Sequence, residues 1–220
     1  MATIEMNERI IENAIEFAER TFRDDYSGHD LDHTMRVYRT ATRLARAEGA
    51  DLPTVQLAAL LHDVDDAKLS PETCENKDKA RGFLKENGVS GEMADRICAI
   101  IGEISFRGTG GVTPQTIEGM CVQDADRLDA MGAIGIGRAF AFGGSHGRAM
   151  YDPEIPPRES MSEAEYRKGG SPTLNHFYEK LFKIGAMMNT EEAKKIAAGR
   201  EAFMREFVQR FLDEWDGKDC

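Results

Sequence analysis

The sequence predicts an all-α protein. Apolar residues recur at three- and four-residue steps through most of the chain, the period of a helix with one buried face. No stretch alternates apolar and polar residues as a half-buried strand does. Helix punctuation (capping side chains, first-turn prolines, closing glycines) falls at the edges of the periodic segments. There is no internal repeat and no low-complexity tract.

Ile10, Ile11, Ala14, Phe17, Ala18 and Phe22 share a face and define a first helix. A break follows at DDYSGHD. Leu31, Met35, Tyr38, Thr42 and Ala45 share the next face to about Glu48, where Gly49 ends the helix. Pro53 suits the first turn of a short, nearly all-apolar helix, VQLAALLHDVDD. Such a helix is buried on most sides, so the polar residues at its end need a reason to be there.

Residues 77 to 87 read as an exposed helix closed by Asn87 and Gly88. Ser90 caps the next, which turns Ile97, Ile100, Ile101 and Ile104 inward. FRGTGGVTP reads as a loop, and Thr113-Pro114 as the start of one helix running through MCVQDADRLDAMGAIGIGRAFAF. The glycines at 132, 135 and 137 leave room there for a neighbouring helix. Residues 143 to 172, rich in Gly, Pro and Arg, form the longest irregular stretch. Two helices, about 173 to 188 and 190 to 214, close the chain, with Asn189 and Thr190 as caps of the last. We read a single domain over 1–220: a core of about 25 to 135, with the loop 143–172 and the helices of 173–216 completing its cleft.

At 220 residues and 41% apolar, the chain has enough material for a sizeable core. A net charge of −11 repels a phosphate backbone, so no nucleic-acid partner is expected. Any small phosphorylated ligand needs local cations. Cys74, Cys98, Cys121 and Cys220 form no Cys-x-x-Cys unit and read as free thiols. The N-terminus is amphipathic and acidic, unlike a signal or transit peptide. No apolar run approaches the roughly 20 residues needed to span a bilayer. The expectation is a cytoplasmic protein without a membrane partner; the oligomeric state is left open.

The five histidines are His29, His33, His62, His146 and His176. His62-Asp63 ends an apolar run, where an acid is costly unless paired or bound to a cation. Further ligands must come from other helices. His33 lies one helix earlier, and Asp124 and Asp126 interrupt a later apolar segment. Imidazoles and carboxylates together favour Mn, Fe(II) or Mg over structural zinc. An earlier doublet, His29-Asp30, has the same spelling.

The order H…HD…D, carried by HTMRV (33–37), AALLHDVDDAKL (58–69) and QDADRLDA (123–130), resembles the HD-domain metal-dependent phosphohydrolase superfamily. FAFGG, YDPEIPPRESMSEAEYRKG, NHFYEKLFK and FLDEWDG further resemble a bacterial subgroup of manganese-dependent nucleoside triphosphate pyrophosphohydrolases. The fold this implies is an HD-type helical bundle with a C-terminal helical extension. The resemblance implies that His33, His62, Asp63 and Asp126 ligate one divalent metal. Mn2+ is the expected ion, with Mg2+, Co2+ and Fe2+ as alternatives. The doublet His29-Asp30 is then a decoy, with His29 one turn from His33 as a substrate-side group. Asp124 would orient a ligand histidine. Dinuclear HD enzymes need further histidines between Asp63 and Asp126, and there are none.

The implied reaction is attack of a metal-bound water on a nucleoside triphosphate, releasing monophosphate and pyrophosphate. Asp66, four residues after His62, is the candidate for aligning the water, with Asp65 as rival. Lys68, Arg36, His146, Tyr151, Arg158, His176 and Lys180 are the candidate substrate contacts, joined by Arg127 and Arg148. Asp30 and Asp129 read as structural, and Trp215 as packed at a helix end. Three alternatives stand beside this reading. They are a nucleotide phosphomonoesterase, a nucleotide-sensing module without turnover, and an oxygenase, which predicts two metals.

Overall fold

A computed structural model of the chain describes residues 2–23, 30–66, 70–104, 112–158 and 170–218. Their regular structure is helical, with no strand among the described residues. The chain divides into two compact units, Met1–Asp126 and Arg127–Cys220, where the sequence reads as one.

The first unit holds α1 (Ala2–Phe22), α2 (Leu31–Glu48), α3 (Leu52–Leu61), α4 (Asp78–Glu86), α5 (Gly91–Ile104) and most of α6 (Ile117–Asp129). Central to it is α3, which packs against α1, α2 and α5. Val55 and every residue from Leu57 to Leu61 are buried, so this helix has no polar face to offer water. Asp51 caps its start, accepting from the Thr54 N–H at 3.2 Å, and Pro53 stands in its first turn. Gly49 closes α2 in the left-handed region (φ 72°). Ser90 Oγ accepts from the Met93 N–H at the start of α5.

Three boundaries differ from the expected ones. The helix expected to reach Asp66 ends at Leu61, and residues 62–65 form a turn. His62 and Asp63 therefore stand past a helix end rather than on its side, and Asp66 is not on the helix face of His62. The helix expected to start at Thr113-Pro114 begins at Ile117, with Thr116 Oγ1 accepting from the Gly119 N–H at 3.1 Å. It also does not run on through the glycines. It stops at Asp129, and α7 (Gly132–Ser145) starts afresh after Met131 in an extended conformation.

Glycine makes that break. Gly132 has φ 70°, a region that L side chains avoid. A Cβ on Gly135 would run into the carbonyl oxygen of Ala130. The glycines thus build the joint between two helices, in addition to admitting Arg200 beside Gly132.

The second unit contains α7 and α8 (Glu191–Trp215), which pack on each other. The expected helix of 173–188 is helical from Asn175 to Met187 but unevenly wound. It passes through a π-helical turn, Phe177–Leu181, and ends in a 3-10 turn, Gly185–Met187. Thr190 caps α8, accepting from the Ala193 N–H. Phe140, Phe177, Phe207 and Phe211 pack ring to ring, with centroids about 6 Å apart. Trp215 stacks on Phe211 and meets Tyr151 edge-on, remaining 47% exposed. No helix among the described residues is long and apolar enough to cross a membrane.

Candidate metal centre

Within the first unit, three segments converge. α2 carries His33 on its buried face, beside Thr34 and Val37. That face is rotated from the expected one: Leu31, Met35 and Tyr38 are only half-buried. The turn after α3 carries His62 and Asp63, and α6 carries Asp126. His62 occupies the C-cap of α3, and its Nδ1–H donates to the Ala59 carbonyl at 2.8 Å. This bond leaves the Nε2 lone pair of His62 facing His33, whose Nε2 is 3.3 Å away.

Carboxylates complete the cluster. Asp63 Oδ2 lies 3.2 Å from His62 Nε2 and 3.5 Å from His33 Nε2. Asp126 Oδ1 lies 3.4 Å from His33 Nε2. Among the described residues, His33, His62 and Asp63 form one group with donor atoms all within 4.8 Å of each other. Asp126 joins it through His33 and is the most exposed of the four.

The donor set suits a divalent ion. Two donors each about 2.1 Å from one ion stand about 3.0 to 3.4 Å apart, close to the separations seen here. Two ring nitrogens facing each other in a buried site also need a positive centre between them. Burial alone lowers the affinity of His62 for a proton, yet the charge and hydrogen bond of Asp63 outweigh it and hold its pKa above the ordinary value. Without metal, the cluster thus draws in a proton, and a metal ion would replace it.

Asp65 and Asp66, left undecided by the sequence, separate here. Asp65 is 1% exposed, and its carboxylate accepts from the backbone N–H groups of Lys79 and Ala80 on α4. Asp66 is half-buried just beyond the turn, its N–H donating to the Asp63 carbonyl at 3.0 Å. Asp124 is fully buried on α6. Arg36 lies one turn along α2 from His33 and is half-buried. His29 and Lys68 lie outside the described residues.

The HD domain family matches residues 30–131, a span that contains all four donors. YpgQ of Bacillus subtilis is 39% identical over 199 residues, 90% of this chain and 89% of its own. The chain belongs to the HD domain family. Among solved structures, a crystal structure from Lactobacillus plantarum is 44% identical, with a TM-score of 0.80 over 94% of this chain and 97% of that one. An HD-superfamily hydrolase from Bacillus thuringiensis is 41% identical, with a TM-score of 0.78 over 96% and 98%. YpgQ has been crystallised in complex with ADP, and that structure superposes with a TM-score of 0.77 over 98% of this chain and 100% of its own.

In the second unit of this HD protein, the other expected contacts have local partners. Exposed His146 caps α7; its Nδ1–H reaches the Phe142 carbonyl at 2.9 Å, and its ring stacks on Phe142. Arg148 lies over the Phe142 ring, 5.1 Å from its centroid. Tyr151 belongs to the aromatic group of Phe211 and Trp215. Arg158 is tied to Glu179 by its Nε at 2.9 Å, a terminal nitrogen at 3.0 Å and its backbone N–H at 3.1 Å. Arg127 donates to the Met187 carbonyl, a structural bond within the unit.

His176 and Lys180 stand four residues apart across the π-helical turn. Burial, then the charges of Lys180 and Arg148, push the His176 pKa down to about 4 against the opposing pull of Glu179. Glu179 itself went unnoticed in the sequence. Burial raises its pKa, but bonds from Arg158 and Ser171 outweigh this and hold it below the usual range. Its spacing gave no signal, because an acid two residues from both Phe177 and Leu181 reads as facing away from them on a helix.

Proposed function

We propose that this HD domain protein is a metal-dependent phosphohydrolase of (deoxy)nucleoside triphosphates, releasing monophosphate and pyrophosphate. The observation that carries the reading is the cluster of His33, His62, Asp63 and Asp126, with two imidazole nitrogens and two carboxylates 3.2 to 3.5 Å apart. The ADP complex of YpgQ supports a nucleotide ligand. One divalent ion per chain, Mn2+ first, would supply Lewis acidity toward water and a phosphoryl oxygen.

The chain's own residues do the rest. Asp66 aligns the attacking water and accepts its proton, since both oxygens of Asp65 are engaged by α4. Arg36, one turn along α2 from His33, neutralises phosphate charge, and the same reading assigns Lys68 and His29 to the substrate. His176, in the second unit, is a neutral hydrogen-bonding group at physiological pH.

A panel of nucleoside mono-, di- and triphosphates, assayed with Mn2+, Mg2+ and Co2+ with products resolved, tests this. Pyrophosphate from triphosphates, abolished by chelation and by Asp126→Asn, is the expected result. Orthophosphate from monophosphates alone would make the protein a phosphomonoesterase instead. Thermal stabilisation by nucleotide without any product would make it a sensor.

A further inference from the structure

We propose that Asp65 is the positioning residue of the metal centre, holding the His62–Asp66 turn in shape by bonding it to the N-terminus of α4. The inference rests on the metal reading given above.

An acid as deeply buried as Asp65 needs partners for both oxygens. It finds them in the Lys79 N–H, 3.2 Å from Oδ1, and the Ala80 N–H, 2.9 Å from Oδ2. These are the second and third residues of α4, and their N–H groups have no acceptor inside a helix. The helix cannot cap itself. Its cap position is Lys77, whose side chain accepts nothing and whose backbone is left-handed at φ 58°. Asp65 therefore serves as a cap supplied from another segment, placing a carboxylate at the positive end of the helix.

The turn gains as much as the helix does. Its own backbone bonds are Val64 to the Leu61 carbonyl at 3.4 Å and Asp66 to the Asp63 carbonyl at 3.0 Å. Asp63 and Asp65 are two residues apart, one engaged with the histidine cluster and the other with α4. A second strap runs beside the first: Lys79 Nζ donates to Ser70 Oγ at 2.5 Å, and the Ser70 N–H donates to the Asp66 carbonyl at 2.7 Å. Lys79 thus holds the turn at Asp65 through its backbone and beyond Asp66 through its side chain. Freed from α4, the turn would let Asp63 wander from the 3.2 Å it keeps to His62.

Mn2+ titration of the full chain, followed by the paramagnetic resonance of the free ion, tests this without relying on turnover. Three variants are compared. Asp65→Asn places an amide against an N–H donor. Lys79→Pro deletes the donor from the α4 side and leaves the turn's sequence intact. Proline is tolerated there, because Pro53 occupies the same second position of α3. Leu84→Ala, in the buried face of α4, is the control for general loosening.

Asp65→Asn and Lys79→Pro are each expected to weaken Mn2+ binding about ten-fold, while Leu84→Ala lowers the melting temperature and leaves affinity unchanged. Wild-type affinity in Lys79→Pro overturns the proposal even if Asp65→Asn fails to fold. Equal loss in Leu84→Ala also overturns it, because the effect is then one of global stability. A wild-type chain that binds no Mn2+ refutes the metal reading itself.

Discussion

Asp30 Oδ1 accepts a hydrogen bond from the backbone N–H of His33 at 2.7 Å. The acid of the first His-Asp doublet is thus the N-cap of the helix that carries a donor of the metal cluster. It fixes where α2 starts and therefore where His33 stands. Asp30→Ala is expected to cost about 1 kcal/mol of stability, and Asp30→Ser to restore most of it. Urea denaturation of the two variants checks this.

The cluster itself predicts a graded loss of metal. His33→Ala and Asp63→Asn each remove a donor within 3.5 Å of two or more others and should abolish measurable Mn2+ binding. Asp126→Asn touches the cluster through His33 and leaves the other three donors together, so it should weaken binding while abolishing turnover. Calorimetric titration of the three variants orders them.

Glu179 and Arg158 form a partly buried pair with three hydrogen bonds. Glu179→Gln takes the negative charge out of this pair and should cost about 2 to 3 kcal/mol. The double variant with Arg158→Met should recover part of that loss, as a double-mutant cycle would show.

Two glycines in α7 should respond in opposite directions. Gly137 has open space around its missing Cβ, so Gly137→Ala should stabilise the helix by up to about 1 kcal/mol. Gly135→Ala meets the Ala130 carbonyl and should destabilise the joint. Melting temperatures of the pair give the comparison.

His176 sets an acid limit on stability. Its pKa falls from 6.5 to about 4 because burial and the neighbouring Lys180 and Arg148 disfavour the imidazolium, only partly offset by Glu179. A base with a depressed pKa contributes stability that is present above its unfolded value and is lost as pH falls from about 6.5 toward about 4. Replacement by Gln should flatten the denaturation midpoint across that window.

The all-α class and most caps were legible, because Gly49, Ser90 and Thr190 act through local chemistry that a sequence displays directly. His33, His62 and Asp63, singled out through motif resemblance, do come together in one cluster. The rotation of α2 was not legible. His33 and Thr34 count as polar in a hydrophobic pattern, yet they lie on the buried face. The end of α3 at Leu61 was hidden for a related reason. The run of apolar residues flows into a turn that is held by α4, a segment fourteen residues away. The role of Asp65 depends wholly on that tertiary bond, so spacing alone offered it only as a rival to Asp66.

Trp215 is the sole tryptophan of the chain, and it sits at the end of α8 with its ring against Phe211 and Tyr151. The protein thereby carries a fluorophore confined to one of its two units, the one without the metal cluster. Emission from that indole reads the melting of Arg127–Cys220 alone, whereas far-ultraviolet dichroism reads helices of both units. Superimposable curves would mean a single cooperative transition, and separated ones would give each unit its own stability.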